Sequence, residues 1–141
     1  LHKGITVLTN AVNVAMELSQ RDDLKVFVTG GFLSGDWFAL VGAAAIQNAS
    51  EMFVDKVFIG VDGIHAERGL TTNYPEQAAV HRVMMRQARQ RIVVADNRKI
   101  GKVGSALIWP IDEVDFLITD EGASNESIAP FVAKGIDVRR A

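Results

Sequence analysis

Lys56-Val57-Phe58-Ile59-Gly60-Val61, running into Asp62-Gly63-Ile64, is the stretch that decides the fold class. A run of apolar and β-branched residues closed by Asp-Gly reads as a buried strand giving way to a turn. Similar runs recur at Ile5–Leu8, Leu24–Val28, Ile92–Ala95, Phe116–Ile118 and Ile136–Val138. Most are continuous rather than alternating, the pattern of parallel strands covered by helices on both faces. Helical patterns lie between them. The spacing therefore predicts an α/β domain with a mostly parallel sheet flanked by helices.

Four helices are expected. Asn10 is a candidate cap for one running to about Ser19, with Ala11, Val14 and Leu18 on its inner stripe. Asp36 is a candidate cap for a second, through Trp37, Leu40, Val41, Ala44 and Ala45. Pro75 suits a first helical position, and Glu76 beside it favours the positive end of the helix dipole. That third helix would turn Val80, Val83, Met84 and Ala88 inward and Arg82, Arg86 and Arg89 outward. A fourth follows Ser124, presents Ile128, Phe131 and Val132, and stops near Gly135.

The chain has 141 residues, 48% hydrophobic and 23% charged, enough for one domain and too apolar for intrinsic disorder. No apolar run approaches the ~18–20 residues needed to span a bilayer. The absence of cysteine excludes a disulfide framework, a zinc ribbon and a cysteine nucleophile, and fits a cytoplasmic location. A net charge of −2 supplies no general reason to bind nucleic acid. Pro75, Pro110 and Pro130 mark no linker, and no solenoid repeat is present.

The chemistry is expected where the strands end. They run into Thr9-Asn10, Thr29-Gly30-Gly31, Asp62-Gly63, Asp96-Asn97 and Thr119-Asp120-Glu121-Gly122. In a parallel sheet these ends share one edge, where open α/β folds bind ligands. The same residue types are also ordinary turn and cap formers, but as a set they favour a binding edge. Asp62–Asn73 is longer and more polar than a typical strand-to-helix loop. Within it, Thr71, Thr72 and Asn73 could present hydroxyl and amide groups to a polyol, and Glu76 could accept from sugar hydroxyls. In Asp96-Asn97-Arg98-Lys99, a lysine can act as a point charge for phosphate, with Asp96 orienting it; a solvated basic turn is the bland alternative.

Other chemistries lack support. Gly30-Gly31 with Gly35 is not the dinucleotide fingerprint, and no P-loop occurs. His65 and His81 are too dispersed for a metal site, His81 falls on a helix face, and Met84 and Met85 read as fillers. No Ser/His/Asp spacing suggests nucleophilic catalysis.

Several strings occur in unbroken order along nearly the whole chain. They are Val7-Leu8-Thr9-Asn10, Val28-Thr29-Gly30-Gly31, Gly60-Val61-Asp62-Gly63-Ile64, Gly69-Leu70-Thr71-Thr72, Glu76, Ala95-Asp96 with Lys99, and Leu117-Ile118-Thr119-Asp120-Glu121-Gly122. Together they resemble the C-terminal effector-sensing domain of DeoR/GlpR-type bacterial transcriptional regulators. The resemblance implies a Rossmann-like fold similar to ribose-5-phosphate isomerase and CoA transferases. It also implies a homo-oligomeric repressor of sugar or polyol catabolism that a phosphorylated metabolite controls, with no catalytic residue, metal or cofactor. The implied effector shell is Thr9, Asn10, Gly30, Gly31, Asp62, Gly63, Thr71, Thr72, Glu76 and Lys99. Lys99 would meet the phosphate or a ring oxygen, while Asp62 and Glu76 would meet hydroxyls.

Such regulators carry an N-terminal winged helix-turn-helix that nothing in residues 1–141 resembles, so operator DNA is expected to be reached only through that missing domain. Their sensing domain also opens with a further strand ending in an Asp-x-Gly-Thr-Thr loop. The chain is thus expected to be a single sensor domain, residues 1–141, truncated at its N-terminus. Asn97-Arg98 before Lys99 is bulkier and more charged than the family pattern, which bears on the metabolite accepted. The alternative function is a sugar-phosphate isomerase or related enzyme, with Glu76 or Asp62 as base. Against it, the glycine- and lysine-rich stretch shared by those isomerases is missing between Asp62 and Glu76. A third possibility is a pure oligomerisation module.

Overall fold

The computed structural model describes residues 4–141, apart from the side chain of Asp36. The chain divides into two compact units, one ending at Met52 and the other spanning Phe53–Ala141. All six sequence-predicted strands are present, within a few residues of the expected bounds. Among the described residues no helix is long and apolar enough to cross a membrane.

In the first unit, β1 (Ile5–Thr9) and β2 (Leu24–Val28) pair in parallel, Ile5 opposite Leu24 and Thr9 opposite Val28. Helix α1 (Val12–Leu18) connects them. Asn10 does not cap it: the capping position is Ala11, and the Asn10 amide donates instead to the Leu40 carbonyl at 3.2 Å. Nor is its expected inner stripe buried, because Val14 is exposed and Ala11 and Leu18 are only half-buried. The helix expected from Asp36 is also absent. Phe38 adopts a left-handed backbone at φ 54°, which ends a short 3-10 turn, Gly35–Trp37, before a helix can form. The flanking residues form an antiparallel hairpin, β3 (Phe32–Ser34) with β4 (Ala39–Val41). Helix α2 (Ala43–Ser50) starts only beyond it and buries Ala45 and Ala49. The Asp36 side chain lies outside what the structure describes.

The second unit is built on β5 (Val54–Gly60), β8 (Ala88–Val94), β10 (Phe116–Thr119) and β11 (Asp137–Arg140), a four-stranded parallel sheet in the order β11-β10-β8-β5. Burial alternates along β5, with Val57 and Ile59 inside and Lys56 and Phe58 exposed. The expectation that apolar runs mean two covered faces therefore fails for this strand. Helix α3 (Pro75–Gln87) begins with Pro75 in its first turn, carries Glu76 there, and buries Val80, Val83, Met84 and Met85. Ala88 is buried too, but as the first residue of β8. Arg86 is exposed on the helix as expected, whereas Arg89, though exposed, lies on β8 rather than on the helix. Arg82 is half-buried, and its guanidinium donates to the Leu107 carbonyl at 2.6 Å. Helix α4 (Asn125–Ala133) is capped by the Ser124 hydroxyl, which accepts from the Ser127 N–H at 3.1 Å. It buries Ile128 and Phe131 but leaves Val132 exposed, contrary to the apolar pattern.

A second, antiparallel sheet joins β6 (Gly63–His65), β7 (Gly69–Thr72) and β9 (Ala106–Trp109). Its first two strands form a hairpin within Asp62–Asn73, the segment expected to be a long polar loop. All four β7 residues are buried. A parallel bridge between Ile64 and Ile100, with Gly101 N–H donating to the Ile64 carbonyl at 2.7 Å, ties this hairpin to the segment after β8.

Candidate functional site

Because β5, β8 and β10 are parallel and register Gly60 with Val94 and Val94 with Ile118, their carboxyl ends share one rim. Asp62, Asp96 and Asp120 follow those ends. Asp62 is held by one oxygen only. Its Oδ2 accepts from the Thr72 hydroxyl at 2.9 Å and from the Asn73 N–H at 2.8 Å. Among the described residues, Oδ1 has no hydrogen-bond donor. The Thr72 hydroxyl in turn accepts from the Tyr74 N–H at 3.3 Å.

Thr71 and Gly63 are bound into the same cluster. The Thr71 hydroxyl donates to the Gly63 carbonyl at 3.4 Å and accepts from the Gly104 N–H at 2.7 Å. A Cβ on Gly63 would collide with the Lys102 carbonyl oxygen, so only glycine allows this approach of two backbones. Asn73 Oδ1 accepts from the Ser105 N–H at 3.3 Å. Asp62, Gly63, Thr71, Thr72 and Asn73 thus form one hydrogen-bonded group with Gly104 and Ser105, against which the Lys102 carbonyl packs at Gly63. Lys102, Gly104 and Ser105 were not singled out in the sequence, since their part is played by backbone atoms that no side-chain pattern reveals. Glu76 is exposed in the first turn of α3.

Asp96 and Asp120 are more fully engaged by the chain. Asp96 Oδ1 accepts from the Arg98 N–H at 2.9 Å and from Arg98 Nε at 3.1 Å, and its Oδ2 accepts from Arg98 Nη2 at 3.2 Å. The guanidinium's hydrogen bonds hold this carboxyl below its ordinary value, and the carboxylate raises the arginine. Asp96 was expected to orient Lys99; its partner is Arg98, whose N–H and guanidinium both reach it from two residues away. Asp120 accepts from the Asn97 N–H at 2.6 Å, the Asn97 amide at 2.7 Å and the Gly122 N–H at 3.2 Å. The Asn97 bonds are the main reason its carboxyl also lies below the usual range. Lys99 ends the 3-10 turn Asn97–Lys99, is half-buried, and belongs to none of the four ion pairs among the described residues.

The first unit has a polar rim of its own. Thr29 N–H donates to the Thr9 carbonyl at 3.1 Å, joining the ends of β1 and β2. The Thr9 hydroxyl accepts from the Ala11 N–H at 3.0 Å, and the Asn48 amide donates to the Thr29 carbonyl at 2.7 Å. Gly30 and Gly31 both have positive φ. A Cβ on Gly31 would lie 2.6 Å from the Val41 carbonyl oxygen and 2.9 Å from the Ala45 Cβ. Thr9, Asn10, Gly30 and Gly31 are therefore neighbours in this unit, as Asp62, Gly63, Thr71 and Thr72 are in the other.

Among the described residues, neither histidine is hydrogen-bonded to these groups. His65 Nδ1 accepts from the N–H groups of Glu67 and Arg68 at 3.0 and 3.2 Å. His81 sits on α3 as expected but is buried there, and burial pushes its imidazole down to about 4. No group of three potential metal ligands occurs among the described residues.

Comparison with known proteins matches residues 1–121 to the family described as the DeoR C terminal sensor domain. The chain is 38% identical over 115 residues to the HTH-type transcriptional repressor GlcR of Bacillus subtilis (strain 168), covering 82% of this chain and 44% of that protein. It is 31% identical over 137 residues to a putative aga operon transcriptional repressor of Escherichia coli O157:H7, covering 97% and 51%. A third relative, the HTH-type transcriptional regulator GlpR of Haloferax volcanii, is 30% identical over 131 residues, covering 93% and 51%. The chain spans about half the length of these relatives.

Proposed function

This chain belongs to the DeoR C-terminal sensor domain family, and from that membership we propose that it is the effector-sensing part of a DeoR-type repressor of sugar or polyol catabolism. In this reading a phosphorylated sugar or polyol binds at the strand ends and changes operator binding by a DNA-binding domain outside these residues. The part played here is recognition, with no chemical step. Regulation requires that the metabolite bind two states of the repressor unequally, since equal affinity would shift nothing.

The observation that carries the proposal is the unequal use of the rim carboxylates. Both oxygens of Asp96 and of Asp120 accept from the chain, whereas Asp62 is clamped through Oδ2 and keeps Oδ1 available. A carboxylate fixed in that way is a preorganised acceptor for a hydroxyl donor. Lys99, outside the ion pairs among the described residues, supplies the cation for a phosphate. Gly63, Thr71 and Thr72 support that acceptor, and exposed Glu76 offers a second one. Thr9, Asn10, Gly30 and Gly31 are assigned to effector binding as the corresponding rim of the first unit.

The test is a thermal-unfolding screen of phosphorylated sugars and polyols, each beside its unphosphorylated counterpart. A ligand at about a hundred times its Kd should stabilise by about 2.7 kcal/mol. Lys99→Ala should lose most of that gain for the phosphorylated compound. A Lys99→Ala variant that responds as the parent does would remove the phosphate assignment. Turnover of ribose 5-phosphate by the protein would replace the regulator by the isomerase reading.

A further inference from the structure

Lys99-Ile100-Gly101-Lys102 carries two lysines three positions apart, with a glycine just before the second. In the structure it is a tight turn. The Lys102 N–H donates to the Lys99 carbonyl at 3.3 Å, Ile100 has φ −72° and ψ 127°, and Gly101 follows at φ 83°. These angles define a type II turn, whose third position needs the positive φ that glycine supplies. The first and last Cα atoms of such a turn are less than about 7 Å apart, so the two lysine stems start side by side.

Backbone anchors fix this turn and the residues after it to the cluster around Asp62. The Gly101 N–H donates to the Ile64 carbonyl at 2.7 Å, the Gly104 N–H to the Thr71 hydroxyl at 2.7 Å and the Ser105 N–H to Asn73 Oδ1 at 3.3 Å. The Lys102 carbonyl lies against Gly63, the residue after Asp62. Charge is spread unevenly over the segment. Arg98 is matched by Asp96, whereas neither Lys99 nor Lys102 belongs to an ion pair among the described residues. Lys102 is exposed and Lys99 half-buried. Two like charges held this close repel each other, and a doubly charged anion between them relieves the repulsion.

We propose that Lys99 and Lys102 form a two-cation clamp for the dianion of a phosphate monoester, with Lys102 the residue that selects it over a singly charged phosphodiester. The inference rests on the effector reading above and adds to it a second cation and a charge requirement. A phosphate monoester near neutral pH carries close to two negative charges and about three strong acceptor oxygens, enough to receive both ammonium groups at once. A diester has a single charge, so it matches one lysine and leaves the other without an anion. Lysine is a compact point charge on a flexible stem, and the turn supplies the order that the stems lack. The anchors keep both lysines beside the segment that carries Asp62, so one ligand can bring its phosphate to the turn and a hydroxyl to Asp62 Oδ1.

The probe is inorganic phosphate, beside dimethyl phosphate as the singly charged diester. Each is titrated into the isotope-labelled whole chain at constant ionic strength near neutral pH and followed by amide NMR shifts. Phosphate should move the signals of residues 99–104 and bind at least about tenfold more tightly than dimethyl phosphate. Lys102→Ala should weaken phosphate about tenfold, leave dimethyl phosphate nearly unchanged and keep the parent's circular dichroism. Lys102→Arg, which retains the charge, should recover most of the loss. Equal binding of the two probes would overturn the proposal. So would a Lys102→Ala chain that binds phosphate as tightly as the parent; if Lys99→Ala still weakens it, the effector reading stands with one lysine and no clamp. Shifts confined to other segments, or none up to about 50 mM phosphate, also end the proposal, and the sugar-phosphate screen then decides the effector reading separately.

Discussion

Acidification from neutral pH should weaken this fold first through His81. The imidazole is buried on α3, and its Nδ1 has no hydrogen-bond partner among the described residues. Burial pushes it from the ordinary 6.5 down to about 4. Between those values the unfolded chain takes up a proton that the folded chain refuses, so stability rises with pH across this window and falls as pH is lowered. The stabilising contribution is complete above about 6.5 and gone below about 4. At about 1.4 kcal/mol per unit, the full loss is about 3 kcal/mol, of which about 2 kcal/mol is already gone at about pH 5. For a protein with a typical stability of about 5–15 kcal/mol this is a large fraction. Urea unfolding followed by circular dichroism near pH 7, 6, 5 and 4 measures it. The His81→Leu variant should lose that slope while remaining as stable as the parent near pH 7, since it removes an unpaired buried nitrogen and keeps an apolar side chain of similar size. Parallel pH curves for parent and variant would refute the reasoning.

Two further outcomes follow from local geometry. Gly31→Ala should cost about 2–4 kcal/mol in urea unfolding, because the methyl group meets the Val41 carbonyl oxygen and the Ala45 Cβ on a backbone at φ 113°. Asp120→Ala should speed hydrogen exchange at the Asn97 N–H by about tenfold or more, since that N–H and the Asn97 side chain both donate to this carboxylate. In the parent, the same protection should persist to a pH below the ordinary aspartate value, because those bonds lower the Asp120 carboxyl.

The parallel strands were legible in the sequence because each is a run of apolar or β-branched residues with a turn signal behind it. The hairpins were not. Phe32–Ser34, Gly63–His65 and Ala39–Val41 are three residues long, too short for a period of two to be seen. The Asp36 helix failed for a tertiary reason: its apolar spacing is genuine, but pairing of Ala39–Val41 with β3 and the left-handed Phe38 decide the backbone. At the strand ends the residue types could be read but not their partners. Asn10 bonds to Leu40, thirty positions away, and Thr71 to Gly104, thirty-three away. Asp96 instead turns to a residue only two positions on, ahead of the lysine after it.

Turns and ligand sites draw on the same small polar residues, so a run of Thr, Asn, Asp and Gly at a strand end does not by itself separate scaffold from function. Counting acceptors and donors does. Each ionised carboxylate has about four acceptor positions. Asp120 binds the turns after β8 and β10 to each other, and Asp96 closes its own turn around Arg98, so their charge is directed into the chain. Thr71 and Thr72 are buried, and their hydroxyls already serve neighbouring atoms. These hydroxyls therefore hold other groups of the chain still. In the proposed reading, the groups of this unit offered to a ligand are one oxygen of Asp62, the exposed Glu76 carboxylate and the Lys99 ammonium group. Two acceptors and one cation suit a ligand that brings hydroxyl donors and a negative charge together, and a bare phosphate or an uncharged polyol would use only part of the set.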